Sequence, residues 1–201
     1  MVMNASFMQR HQGFRDVLGL IVFVVCVAVG TVFINTFIFR TFSVVGPSME
    51  STMYTGDRLI VDRIPVTIAQ LQNKEYVPQR GQVIVFRNPN FSVGAADEYI
   101  VKRVIAFPEE RVVVKDGKIT VYNSTHPGGF NPDDANHGEP GQPTSGSVDE
   151  VVPEGTLFVS GDHREGNYSL DSRSGLGTIP YHDIIGPVGL RIWPIDKIRT
   201  F

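Results

Sequence analysis

Two regimes of hydrophobic patterning divide the chain. Residues Val17 to Phe39, VLGLIVFVVCVAVGTVFINTFIF, are apolar on every side and lie uncharged between Asp16 and Arg40. A helix of that length rises about 34 Å, enough to cross a hydrocarbon core of about 30 Å. A core helix of a soluble domain would carry a polar stripe, and this run has almost none. It predicts a transmembrane helix. A cleavable leader is the rival reading, because Val17–Val27 is followed by small residues at Ala28 and Gly30. The apolar run continues through TVFINTFIF, however, which a cleaved leader does not need.

Beyond residue 40 the pattern changes to short β-branched runs bounded by Gly, Pro and Asn. DRLIVDRI (57–64), GQVIVFR (81–87), EYIVKRVIAF (98–107), GTLFVSG (155–161) and IIGPVGLRIW (184–193) read as strands. RVVVKDGKITVYN (111–123) reads as a hairpin, with Asp116-Gly117 supplying the tight turn. TIAQLQN (67–73) is the clear helix candidate outside the apolar run. The fold class is therefore mainly β: an N-terminal transmembrane helix, then a mostly antiparallel domain with a closed or nearly closed sheet. Residues 1–16 form a tail, 17–39 the span and 40–201 the domain. Within that domain, 124–152 is rich in Gly, Pro, Asn and Asp without periodicity, and reads as a partly disordered surface insertion.

Charge orients this picture. Arg10 and Arg15 precede the span and Arg40 follows it, a bias that puts the N-terminus in the cytoplasm and the domain outside. The first forty residues carry three arginines and one aspartate, so the overall −3 becomes −5 over the remainder. That is too mild to suggest nucleic acid. The lone cysteine, Cys26, rules out an internal disulfide, a Cys-rich metal site and a CxxC pair. His126 and His137 have acids between them but read as solvated loop, and Asn123-Ser124-Thr125 matches a glycosylation sequon relevant only in a secretory eukaryotic setting.

The candidate chemistry begins at VVGPSMESTM (44–53), where Ser48 follows Gly46-Pro47. Taken alone, Ser48 is a turn residue. The chain has no G-x-S-x-G, S-x-x-K or H-E-x-x-H motif. His163 and His182 are the histidines available for a triad, and nothing in their neighbourhoods singles them out. Lysine is a better base. Lys74, Lys115, Lys118 and Lys197 lie in polar or turn contexts, whereas Lys102 shares a strand face with Ile100 and Val104. Such a lysine either snorkels out from an edge or is buried, and burial would favour the neutral amine that can act as a base. A third segment, GDHREGNYSLDSRSG (161–175), crowds acids, arginines and hydroxyls together. It reads either as a salt-bridged loop or as a site floor in which Ser169 or Ser172 orients the lysine.

Together these segments resemble bacterial type I signal peptidase, the membrane-anchored Ser/Lys endopeptidase. GPSM (46–49), GD (56–57), RGQVIVF (80–86), YIVKRVIAFPEE (99–110) and GDHREGNYSLDSR (161–173) follow the family's motifs in order behind an N-terminal anchor. The resemblance implies Ser48 as nucleophile, Lys102 as general base and the Ser48 backbone N–H as an oxyanion donor, Pro47 having none. It further implies Ser169 orienting Lys102, an Asp171–Arg173 ion pair, and Asp162 pairing with Arg103 or Arg164. Met49, Ile84 and Phe86 are the pocket walls expected to select small residues at the −1 and −3 positions. The implied partners are exported preproteins, the lipid bilayer and the secretion machinery. Neither cofactor nor metal is implied.

The chain departs from the usual pattern at ESTM after Ser48, at AFPEE after the lysine strand, and by two extra residues between Arg164 and Ser169. Gly46 stands where some members carry a hydroxyl, and His163 where Asn is common. Self-cleaving SOS repressors share the dyad, but carry a DNA-binding head where this chain has its apolar run. A conjugation-pilus maturation peptidase and an inactive membrane-anchored β domain that binds partners are the remaining alternatives.

Overall fold

The computed structural model describes residues 12–92, 98–136, 140 and 143–201. His137 and Arg10, named above, fall outside them. The first element is helix α1 (Gln12–Phe37), followed by strand β1 (Phe39–Ser43), strand β2 (Arg58–Asp62) and helix α2 (Ile64–Leu71). Strands β3 (Val83–Arg87), β4 (Tyr99–Ala106), β5 (Arg111–Lys115) and β6 (Lys118–Tyr122) come next. The chain ends with β7 (Val148–Val151), β8 (Thr156–Ser160), β9 (Ile179–Pro180), β10 (Ile184–Trp193) and β11 (Arg199–Thr200).

Helix α1 is long and apolar enough to cross a membrane, and from Arg15 to Phe37 its side chains are exposed on every face. The apolar run extends to Phe39, yet the helix stops at Phe37 because the following residues enter a sheet: Phe39 pairs with Asp62 and Arg40 with Val61. The carbonyls that a further helical turn would satisfy are taken by the start of α2 instead. Arg63 Nε donates to Thr36 O at 2.6 Å, Thr67 Oγ1 to Phe37 O at 2.9 Å and Arg63 N to Ile38 O at 2.8 Å. The C-terminal end of α1 is thereby fixed to the β domain. Helix α2 begins three residues before the predicted helix, since Pro65 falls in its first turn, where no intrahelical N–H is needed.

The β domain is antiparallel throughout, as the alternating pattern predicts. One sheet runs in the order β1-β2-β10-β3-β4-β8-β9, with β11 beside β10; a smaller sheet runs β6-β5-β7. Among the described residues β1 and β9 are edges, so the larger sheet is a curved open strip rather than a closed barrel. The long strand β10 bridges it by pairing with β3 at one end and β2 at the other, shifting register along the way. In the β5–β6 hairpin, Asp116 and Gly117 both take positive φ (51° and 74°), the geometry that favours Asp-Gly in two-residue turns.

Strand alternation sorts the interior. Ile84, Phe86, Ile100 and Val104 pack with Leu157, Val159, Ile179 and Ile184 on one side. Val83 and Val85 pack with Val44, Met49, Met53, Leu59, Val61 and Val188 on the other. A third cluster joins Val112, Val114, Ile119 and Val121 of the small sheet to Ile105 and Phe158.

The stretch 124–152 is more integrated than its composition suggests. Phe130 bridges to Val121, Val148–Val151 forms strand β7 against β5, and Asp133 and Thr144 are buried. Those parts are ordered, while most of the other described residues of the stretch lie at the surface. That order comes from contacts with distant residues, which local composition does not encode.

Candidate active site

Ser48 lies just past β1, after the chain leaves the sheet at Val44. A turn closes around it, with Glu50 N donating to Pro47 O at 3.0 Å and Met53 N to Met49 O at 2.8 Å. Met49 anchors the turn by sinking fully into the core. The turn brings Ser48 to Lys102 on β4, and Lys102 Nζ lies 2.7 Å from Ser48 Oγ.

Lys102 is buried, with 3 % of its surface exposed, which decides between the two readings of this lysine. Ile100 and Val104 flank it within the apolar cluster. Strand β8 pairs with β4 only from Arg103 onward, and among the described residues no strand lies on that side of 99–102. The lysine side chain folds back there, and its Nζ also donates to the Val101 carbonyl at 2.8 Å. Burial penalises the ammonium form, and an amine at 2.7 Å from a hydroxyl can exchange a proton with it.

The floor is built from 161–174. Arg103, next to Lys102, grips Asp162 through Nε at 2.7 Å and reaches the Gly81 carbonyl at 2.7 Å. Of the two partners considered for Asp162, the structure therefore selects Arg103. Arg164, fully buried, pairs with Asp133 at 2.6 and 2.8 Å while its Nε holds the Gly161 carbonyl at 2.8 Å. Asp133 was invisible to motif reading because it lies in the irregular stretch, 31 residues away.

Asp171 meets Arg173 in the expected pair, through Oδ1 at 3.1 Å and Oδ2 at 2.8 Å. Burial pushes the Asp171 carboxyl up. Hydrogen bonds and charge from Arg173, the Gly161 N–H and the Ser169 hydroxyl outweigh it, and the group ends below the ordinary carboxylate value.

Both serines considered for orienting the lysine donate their hydroxyl protons elsewhere. Ser172 Oγ accepts from Val159 N at 3.0 Å and donates to Gly177 O at 2.8 Å, so it fastens the loop to β8 and that expectation is corrected. Ser169 donates to Asp171 Oδ2 at 2.7 Å. Its Oγ lies over Gly161 beside the Ser48 carbonyl, where a Cβ on Gly161 would collide with both. His163 packs at the same place, its N–H donating to Ser48 O at 3.1 Å. His182 is an exposed residue beside Asp183.

An open cavity of about 480 Å³ adjoins the pair and is lined by Ser48, Lys102 and apolar side chains. The expected walls need correction. Ile84 and Phe86 belong to the opposite face of β3 and are buried in the other cluster, while Met49 lies beneath the floor. Val85, from the alternate parity, lines the cavity with Val44, Leu59, Tyr99 and Val101, and Tyr168 and Leu170 close one side. Ile84 is the cross-strand partner of Lys102, yet it faces the apolar interior rather than the cavity. Ile100, on the lysine's own face, lines the cavity too, but the lysine head also turns to the Val101 carbonyl and so stands beside residues of the alternate face.

A buried amine on a serine hydroxyl, opening onto an apolar cleft in an antiparallel β shell, defines a candidate hydrolase site on a domain with an apolar N-terminal helix. The chain belongs to the family described as signal peptidase, peptidase S26, which matches residues 15–193, and it is accordingly a peptidase. It is similar to "Signal peptidase I" of Bacillus licheniformis, 29% identical over 168 residues that cover 83% of each chain. "Signal peptidase IB" of Staphylococcus aureus (strain Mu50 / ATCC 700699) is 29% identical over 184 residues, covering 83% of this chain and 84% of that one. Among solved structures, a signal peptidase I from Enterococcus faecalis V583 aligns with 24% identity and a TM-score of 0.41, over 55% of this chain and 96% of that one.

Proposed function

We propose that this chain is a signal peptidase I: a membrane-anchored serine endopeptidase that removes N-terminal signal peptides from exported preproteins after small-x-small sites. The 2.7 Å contact between Lys102 Nζ and Ser48 Oγ carries the reading. Family membership supports the activity class, and the contact supports the roles of these two side chains.

In the proposed reaction, neutral Lys102 takes the Ser48 hydroxyl proton as Oγ bonds to the scissile carbonyl carbon. The carbonyl electron pair moves to oxygen, and the resulting oxyanion is met by the Ser48 N–H. Collapse re-forms the carbonyl and breaks the C–N bond while the Lys102 ammonium protonates the leaving amine. A water then gives its proton to Lys102 and attacks the acyl carbon, and Ser48 departs with the proton returned. The apolar cleft formed by Val44, Val85 and Val101 accommodates small side chains of an extended leader.

In this reading residues 1–16 are a cytoplasmic tail, α1 spans the plasma membrane once, and 40–201 form the extracytoplasmic peptidase domain. Tethering keeps that domain where leaders emerge, raising their effective concentration.

The test is cleavage of a preprotein carrying an Ala-x-Ala leader by the detergent-solubilised protein. Wild type should cut it, and Ser48→Ala and Lys102→Ala should not; equal cleavage by wild type and Ser48→Ala would overturn the mechanism. The rate should rise with pH as neutral Lys102 accumulates, since desolvation favours the amine. A flat profile from acid to alkaline pH contradicts a lysine base.

A further inference from the structure

We propose that His163 is a positioning residue that aims the oxyanion donor, a reading that rests on Ser48 being the nucleophile. Its backbone N–H donates to Ser48 O at 3.1 Å, and its ring Nδ1 lies 3.2 Å from Pro47 O. A carbonyl can only accept, so Nδ1 bears the proton in this contact. The two bonds straddle Ser48, holding the peptide before it and the peptide after it.

The first of these peptides matters most. The Pro47 C=O and the Ser48 N–H belong to one planar unit and point in opposite directions. Holding the oxygen on the His163 side therefore directs the N–H to the other side. The turn already holds that oxygen once, through Glu50 N at 3.0 Å. The imidazole adds a second bond, filling both lone pairs and restricting rotation of the plane. Pro47 has no N–H, so its own peptide offers no substitute donor if the Ser48 N–H swings away.

The ring is itself held. It stacks on Tyr168 with centroids 4.5 Å apart and planes at 25°, and Glu50 Oε2 lies 3.9 Å from Nδ1. Glu50 and Tyr168 are the titratable groups against it. Both the neutral Nδ1–H tautomer and the imidazolium carry a proton on Nδ1, so either form makes the positioning contact. The group in contact with Ser48 Oγ is the Lys102 amine, whereas His163 Nδ1 faces a backbone carbonyl.

The experiment compares wild type, His163→Ala and His163→Asn on the Ala-x-Ala preprotein. It also measures inhibition by a peptide aldehyde ending in Ala and by the matching peptide alcohol. The aldehyde forms a hemiacetal whose oxygen needs the donor; the alcohol does not. In Asn, Nδ2 stands one bond beyond Cγ, as Nδ1 does in His, and can make the same bond.

His163→Ala should lower kcat about tenfold with KM unchanged, short of the roughly 10²–10³ lost when an oxyanion donor is removed outright. Aldehyde affinity should fall by the same factor and alcohol affinity should hold. His163→Asn should restore both and leave the pH profile where wild type has it. Aldehyde and alcohol weakening together, an unchanged kcat in His163→Ala, or a displaced acid limb in His163→Asn would overturn the assignment. Those results leave Ser48→Ala inactive and the Ser48 mechanism intact, whereas equal cleavage by wild type and Ser48→Ala overturns both that mechanism and the role of His163.

Discussion

The loop 161–174 and the small β6-β5-β7 sheet use the same chemistry to opposite ends. Each joins arginine to aspartate through a two-toothed contact. In the sheet, Arg111 and Asp149 meet at 2.6 Å with about half of each side chain exposed. In the loop, Arg103–Asp162, Arg164–Asp133 and Arg173–Asp171 are almost wholly withdrawn from water. An exposed pair gains little, because water solvates the separated charges nearly as well. A buried pair need not beat an apolar substitute, but it cannot lose one partner without stranding a charge. The loop's ion pairs therefore fix where its backbone runs. That backbone touches the Ser48 carbonyl at Gly161 and His163.

The most severe test places a methyl group at that contact. In Gly161→Ala the new Cβ would collide with Ser48 O and Ser169 Oγ, neither of which is a free chain end. The loop must move away from the serine turn, and a misplacement of about 1 Å can cost about 10² in rate. Preprotein cleavage should fall by that order while circular dichroism retains the β signature. Near-wild-type cleavage would show that the loop is not held as tightly as its contacts imply.

Breaking one buried pair should cost stability first. Asp133→Ala leaves the fully buried Arg164 without its counter-charge and should destabilise the domain by about 3–5 kcal/mol in urea unfolding. The double change Asp133→Leu with Arg164→Met should recover most of that loss, since no charge then remains to be stranded. Activity need not follow, because the Gly161 carbonyl still lacks the Arg164 Nε bond. Recovery of stability without recovery of rate would separate folding from positioning.

This difference also explains how far the sequence could be read. The β5–β6 hairpin is local: Asp116-Gly117 announces its turn, and alternation assigns its faces. The order of motifs around Ser48 and Lys102 is equally visible, and so is the apolar helix. Long-range choices are not. Arg164 could have taken Asp162 by proximity, yet Arg103 occupies that carboxylate and leaves Arg164 to Asp133. Similarly, the cleft is lined by Val85 rather than Ile84, and both faces of β3 are buried in apolar clusters, so alternation does not tell them apart. No nearby residue signals either outcome.

Acid should distinguish the two regions more gently. Despite burial, Asp171 titrates below its ordinary value of 3.8 because Arg173, Gly161 N–H and Ser169 favour the carboxylate. A carboxyl whose pKa is lowered by folding contributes stability above the unfolded value and loses it as pH falls through the folded one. Urea unfolding should therefore show stability declining below about pH 4, and Asp171→Asn should flatten that part of the curve while lowering the plateau. A curve of unchanged slope in Asp171→Asn would assign the acid sensitivity elsewhere, with Glu110 as the next carboxylate to replace. Burial raises that group too, but hydrogen bonds from Arg80, Asn123 and the Phe107 N–H, with the Arg80 charge, bring it below its ordinary value.

The smallest effect is the one that completes the contrast. Asp149 is also held below its ordinary value, first by its hydrogen bond from Arg111, yet the pair stands in solvent. Screening by water and salt leaves little for such a contact to contribute, and β5 and β7 keep their backbone ladder from Arg111↔Val151 to Val114↔Val148 without it. Asp149→Ala should leave both the thermal midpoint and preprotein cleavage indistinguishable from wild type, in low salt and high. A clear loss of stability there would mean that geometry alone, without burial, makes these pairs matter. The distinction between the loop and the small sheet would then have to rest on the loop's contact with Ser48.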